Sequence, residues 1–258
     1  MKPYNTKNVR PAPWVSFPRR NPQSRARLFC LPYAGGGASV FRSWPDLLPE
    51  DIEVCPVNLP GRGVRLREPP YTSMAPLAQE VARALLPYAD KPFAFFGHSM
   101  GALISFEIAR HLRGQYGLIM SHLFVSACVA PQLRVAIPQT HLLPDDQFTE
   151  ELYRLNGTPQ ELLAAPEFMK VVLPALRADF SICETYNYAG EPPLDCPITA
   201  YGGSDDKHVK SEHLEAWREQ TTSSFAVHLF RGGHFFLHSA GPRFFKALSE
   251  ELRHLEQV

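Results

Sequence analysis

Apolar residues fall along this chain in two alternating patterns. Short unbroken runs (Arg27 to Leu31, Glu53 to Val57, Phe93 to Phe96, His122 to Cys128, Pro197 to Tyr201, Phe225 to Phe230) have the length and composition of buried strands. Between them apolar residues recur every three or four positions: Met74, Leu77, Val81 and Leu85; then Ala102, Leu103, Phe106, Ala109 and Leu112; and last Phe244, Phe245, Leu248, Leu252 and Leu255. That spacing puts one apolar stripe on each helix, and Pro87 ends the first. Alternating strand and helix predicts an α/β fold, a mostly parallel sheet covered by helices on both faces. From Pro131 to about Pro193 the alternation stops. Asp145 to Leu155 and Pro166 to Tyr188 read as helices with no strand between them, which predicts a helical insertion over the sheet.

With 258 residues, 45% of them hydrophobic, the chain can bury a substantial core, and one domain with an insertion is expected. Acidic and basic residues balance at 26 each, so net charge gives no reason to expect nucleic acid or a membrane as partner. The distribution is uneven: no Asp or Glu precedes Asp46, whereas Lys2, Lys7, Arg10, Arg19, Arg20, Arg25, Arg27 and Arg42 do. With Pro3, Pro11, Pro13, Pro18 and Pro22 opposing helix, residues 1–25 read as a solvated basic arm, or alternatively as a docking arm for an acidic partner. No stretch has the length of a membrane span, and no secretory signal is evident, so a cytoplasmic protein is expected. Cys30, Cys55, Cys128, Cys183 and Cys196 lack C-x-x-C spacing and read as reduced core residues.

Candidate chemistry sits at the ends of the strand runs. Gly97-His98-Ser99-Met100-Gly101 lies between the run ending at Phe96 and a helical stretch, so a G-x-S-x-G pentapeptide occupies a strand-to-helix turn that would lift the Ser99 hydroxyl above the sheet. A serine needs a base, and the base an orienting group. The last strand runs into Arg231-Gly232-Gly233-His234, which makes His234 the candidate base. His98 reads as a turn-shaping neighbour, and His208, His213 and His238 lack the post-strand Gly-Gly setting. The preceding strand ends in Gly202-Gly203-Ser204-Asp205-Asp206, where either carboxylate could serve. The order serine, acid, histidine is that of an α/β-hydrolase, whose oxyanion hole takes one backbone N–H from the residue after the nucleophile and one from the loop after an early strand. Met100 and Ala34 occupy those positions; the Tyr33 hydroxyl either helps or packs.

Taken together, Leu31 to Gly37, Pro60-Gly61-Arg62-Gly63, Gly97 to Gly101, Leu176-Arg177-Ala178-Asp179-Phe180 and Gly232 to Phe236 closely resemble the type II thioesterases that accompany polyketide and non-ribosomal peptide synthases. The resemblance spans about residues 26 to 255. It implies the α/β-hydrolase fold and, through the position of Val209, ranks Asp206 above Asp205 as the acid. Tyr33 stands where many members have histidine. The implied activity is hydrolysis of acyl groups from phosphopantetheinyl carrier proteins, clearing misprimed or stalled units, by a monomer needing no metal or cofactor. The insertion would be a lid whose Leu142, Phe148, Leu152, Leu155, Phe168, Met169, Val172 and Leu176 either line an acyl chamber or pack the lid. Arg62, Arg65, Arg67 and the basic arm would meet an acidic carrier. Competing readings are an esterase or lipase on oxygen esters, a chain-terminating cyclase, and a binding module on a hydrolase scaffold.

Overall fold

The structure, a computed structural model, describes residues 13–134, 138–155 and 165–255. Strands β1 (Ala26–Leu31), β2 (Ile52–Pro56), β3 (Phe93–His98), β4 (His122–Ser126), β5 (Ile198–Gly203) and β6 (Phe225–Phe230) form one parallel sheet in the order β2-β1-β3-β4-β5-β6. The order reverses direction at β1 and β3, so the carboxyl ends of these neighbours open the crevice where such sheets place their sites. Helices α1 (Met74–Leu85), α2 (Met100–Tyr116), α3 (Asp145–Leu155), α4 (Pro166–Glu184), α5 (Ser211–Glu215) and α6 (Gly241–Leu252) complete the fold. Boundaries move little from the sequence reading. β4 stops at Ser126 because Ala127 turns into positive φ, and the second lid helix ends at Glu184, four residues short of Tyr188.

Successive strand residues serve opposite faces. Phe29 and Leu31 join Phe95, Val125, Trp217 and the apolar stripes of α1 and α2 in one core layer. Leu28 and Cys30 join Phe96, Phe124 and Tyr201 beneath Trp44 and the Phe244, Leu248 and Leu252 stripe of α6. Helix α2 is buried nearly all round, and it ends where Gly117 adopts φ +63° and the N–H of Leu118 returns to the Leu112 carbonyl. All five cysteines are free, and Cys183 is the one not fully buried. Among the described residues no helix is long and apolar enough to cross a membrane.

The expected solvated arm is corrected for the part described. Val15 pairs antiparallel with Val57, Ser16 N–H donates to the Pro56 carbonyl at 3.0 Å, and Asn58 N–H to that of Trp14 at 2.7 Å. This strap runs along the outer strand β2. Arg65 lies 3.6 Å over the Trp14 ring, and Arg25 reaches the last carbonyls of the α6 end, Leu252 and Leu255, where a cation is favoured. Residues 1–12 lie outside the described residues. Nor do Arg62 and Arg65 stand ready for a carrier: Arg62 pairs with the buried Asp179, and Arg65 with Glu68 and the Asn58 carbonyl. Of the three arginines grouped in the sequence, Arg67 remains exposed.

Between β4 and β5 the lid has its own small core. Phe148, Leu152, Met169 and Leu176 pack together against Val172 and Phe180. Arg177 covers Phe148 at 4.6 Å and donates to the His141 and Leu143 carbonyls.

Candidate active site

The β3–α2 turn exists because two glycines permit it. A Cβ on Gly97 would lie 2.2 Å from the Gly101 carbonyl oxygen, and one on Gly101 would lie 2.2 Å from that of Leu31, so any larger residue would drive α2 off the sheet. Between them Ser99 takes φ +54° and ψ −116°, a conformation that costs of order 1–3 kcal/mol in a non-glycine residue. Its N–H is anchored to the Ser126 carbonyl at 2.7 Å. The side chain points into a cavity of about 500 Å³ bordered by Tyr33, Ala34, Met100 and His234.

A relay of two hydrogen bonds runs from that serine. Ser99 Oγ lies 3.0 Å from His234 Nε2, and His234 Nδ1 lies 2.8 Å from Asp206 Oδ2. The remaining Asp206 oxygen, Oδ1, accepts the His208 and Val209 N–H groups at 2.8 and 3.1 Å. Burial opposes ionisation of Asp206, but the bond from His234 and those from the two backbone N–H groups outweigh it and hold the carboxyl below its usual range. An ionised carboxylate only accepts, so His234 carries its proton on Nδ1 and offers the Nε2 lone pair to the Ser99 hydroxyl. Two loops must meet for this, and glycine again allows it: a Cβ on Gly203 would stand 2.2 Å from the Gly233 oxygen. Asp205 N–H bonds the Gly232 carbonyl at 2.9 Å, while the Asp205 side chain is exposed and takes the Ser204 hydroxyl. The geometry thus separates two carboxylates that the bare residues could not.

The other histidines divide by surroundings. His98 is fully buried, with Nδ1 2.9 Å from Ser126 Oγ; burial, helped by the neighbouring His234 and His238, keeps it neutral. The Tyr33 hydroxyl is taken by His238 at 3.2 Å, and its ring packs on Phe235. His208 and His213, set aside in the sequence, both line the cavity. They lie on the segment after β5 that also carries Asp206. Ala34 and Met100 border the cavity together with Ser99. Met100 opens α2, so its N–H has no intrahelical acceptor, and among the described residues no protein acceptor takes the Ala34 N–H.

The chamber beyond is mostly apolar. From the lid it receives Leu152, Leu155, Leu176 and Phe180, and from the sheet side Leu103 and Val129. Phe148 and Met169 are instead consumed in the lid core, and Leu142, 68% exposed, and Phe168, 36% exposed, face outward. Sequence spacing could not separate cavity wall from lid filling. Two cysteines also border the chamber; burial pushes Cys128 up to about 11 and Cys183 up to about 12, so both are neutral thiols and poor nucleophiles. Among the described residues no cluster of His, Cys, Asp or Glu is arranged to hold a metal ion.

Comparison with known proteins finds similarity along nearly the whole chain. The family model described as a thioesterase domain matches residues 26–252. The gramicidin S biosynthesis protein GrsT of Aneurinibacillus migulanus is 48% identical over 240 residues, 93% of this chain and 94% of its own. The protein named linear gramicidin dehydrogenase LgrE, of Brevibacillus parabrevis, is 48% identical over 235 residues, 90% of this chain and 89% of its own. Among solved structures, the type II thioesterase BorB from the borrelidin biosynthetic cluster superposes with a TM-score of 0.85 at 35% identity, covering 95% of this chain and 100% of that one. With the matched segment beginning at the first residue of β1 and ending at the last of α6, the chain belongs to the thioesterase family, among its type II members.

Proposed function

We propose that this enzyme hydrolyses acyl thioesters carried on the phosphopantetheine arms of synthase carrier domains, through an acyl-Ser99 intermediate. The observation that carries the mechanism is the Ser99–His234–Asp206 relay opening onto a largely apolar chamber. Ser99 Oγ attacks the thioester carbon as His234 Nε2 takes its proton, and Asp206 stabilises the resulting imidazolium. The carbonyl oxygen, now negative, receives the Ala34 and Met100 N–H groups. Collapse breaks the carbon–sulfur bond, and the imidazolium returns its proton to the departing sulfur, whose thiol pKa of about 8.5 makes it an easy leaving group. A water deprotonated by His234 then cleaves the acyl-serine, releasing the acid and restoring the serine. No step in this scheme needs a metal or cofactor, since the substrate carries the phosphopantetheine.

The kinship with GrsT and BorB supports the synthase setting, and an apolar chamber of about 500 Å³ suits an acyl group rather than a free amino acid. The dehydrogenase in the name of LgrE belongs to that protein. A serine lifted on a strand-to-helix turn with a histidine and a carboxylate in relay is the arrangement of acyl transfer. An enzyme acting alone, as a monomer in the cytoplasm, completes the reading.

Release of free acid from acetyl-phosphopantetheinyl carrier protein, with acetyl-N-acetylcysteamine and a nitrophenyl ester alongside, tests it. The expected outcome is Ser99-dependent hydrolysis, fastest on the carrier. An intact carrier substrate beside rapid oxygen-ester cleavage would transfer the protein to the esterases.

A further inference from the structure

Two motifs singled out in the sequence, around Arg62 and around Asp179, take no part in the relay, yet they meet. Asp179, on α4 of the lid, is 1% exposed. Its Oδ2 accepts Arg62 Nη1 at 2.5 Å and its Oδ1 accepts Arg62 Nη2 at 2.7 Å, a bidentate pair. Oδ2 also accepts the Gly35 N–H at 2.8 Å, and Arg62 Nη1 donates to the Gly36 carbonyl at 3.2 Å. The pair therefore grips the loop after β1 by a donor and an acceptor at once.

What it grips is a tight turn. Gly36 N–H closes onto the Tyr33 carbonyl at 2.9 Å, with Ala34 and Gly35 at the centre and Gly35 at φ +78°. Positive φ at the second central residue alone marks a type II turn, which differs from type I by a flip of the peptide between the two central residues. That peptide carries the Gly35 N–H. Flipping it would aim the Ala34 carbonyl at the Asp179 carboxylate, so Asp179 holds that peptide as it stands; the Ala34 N–H lies on the preceding Tyr33–Ala34 peptide, whose carbonyl is held by the Gly36 N–H that closes the turn. Leu176, one turn earlier on α4, closes the space above: its Cδ2 would lie 2.5 Å from a Cβ on Gly35.

We propose that the Asp179–Arg62 pair is a positioning device that locks this turn and thereby keeps the Ala34 N–H aimed at the developing oxyanion. The inference rests on the reading above that Ala34 supplies an oxyanion donor. Asp179 and Arg62 are positioning residues, since neither touches substrate. Because Asp179 belongs to the lid and Ala34 to the loop after β1, the device also makes the lid helix part of the apparatus that stabilises the transition state.

The test compares wild type, Asp179→Asn, Asp179→Ala, Arg62→Gln and the double variant Asp179→Ala/Arg62→Gln on an acyl thioester. Alongside it measures binding of an alkyl boronic acid, which closes on Ser99 as a tetrahedral anion, and of the corresponding neutral carboxamide. Loss of one oxyanion donor costs about 10²–10³ in kcat. We expect kcat about 100-fold lower with KM within threefold, boronate affinity lower by a similar factor, carboxamide affinity unchanged, and the double variant no worse than the worse single. Should Asp179→Asn and Asp179→Ala fail to fold, Arg62→Gln, at the less buried partner, carries the same expectation. Retention of kcat within threefold, or loss that lies in KM with boronate affinity intact, would reduce the pair to a structural staple. Ser99→Ala separates the two levels: if it hydrolyses like wild type, the mechanism beneath is wrong, whereas Ser99-dependent turnover with unaffected Asp179 variants removes the positioning role alone.

Discussion

Ser99 occupies backbone space that an unconstrained serine avoids, and stability and activity therefore pull in opposite directions at that residue. Ser99→Gly is expected to abolish turnover while raising the unfolding free energy by about 1 kcal/mol, measured by urea denaturation. Asp206→Asn should leave the fold intact and lower kcat by about 10⁴-fold, because an amide in that place no longer selects the tautomer with its proton on Nδ1; single-turnover kinetics would show the loss in acylation. Ser99 and His234 were legible in the sequence, each lying where a buried run breaks into glycines. Asp206 was not separable from Asp205 on residue type, since the distinction lies in which carboxylate faces inward across the Gly203–Gly233 contact. The places of His208 and His213 on the chamber wall were hidden for the same reason, as their direction depends on the loop rather than on periodicity.

Among the elements, the strands and the longer helices followed from patterning to within about four residues, because each has one or two continuous apolar faces; the short α5, whose one buried residue is Leu214, offered no stripe to read. The lid did not yield its inner and outer sides so readily, since Phe148 and Leu152 share a stripe yet only Leu152 reaches the chamber. The α2–β1 contact, like the Gly203–Gly233 contact, leaves no room for a side chain. Gly101→Ala sets a methyl group against backbone at 2.2 Å and is expected to cost more than about 4 kcal/mol, read as loss of the cooperative transition or of soluble protein. Strand β4 carries a different liability. His122, stacked on Phe124 and bonded to Thr199, is pushed down to about 4 by burial, against about 6.5 in an unfolded chain. Below pH 6.5 the unfolded state binds a proton that the folded state refuses, so stability is lost as pH falls from 6.5 toward 4. His122→Gln should shrink the stability difference between pH 7 and pH 4.5 by about 2 kcal/mol, whatever its effect at pH 7.

Over the molecule as a whole, a few ion pairs are buried while most lie at the surface. Arg27 bonds Glu53, both side chains nearly inaccessible, and Arg27→Ala, which leaves that buried carboxylate with the Asn21 N–H and the more distant Arg20, is expected to cost about 3 kcal/mol in denaturant titration. In sequence the excess of basic residues near the start of the chain reads as a solvated arm, or alternatively a docking one, yet Arg19, Arg20, Arg25 and Arg27 all find acidic partners in the fold. Sequence counting could not foresee this, because those partners lie distant along the chain. The strap from Trp14 to Arg25 also has a bearing on solubility. Strand β2 ends the sheet, and an open strand edge is a template on which another chain can continue the ladder. By placing Val15 and Ser16 on Val57 and Pro56, the protein caps the carboxyl end of that edge with its own backbone, where a second molecule would otherwise begin to pair.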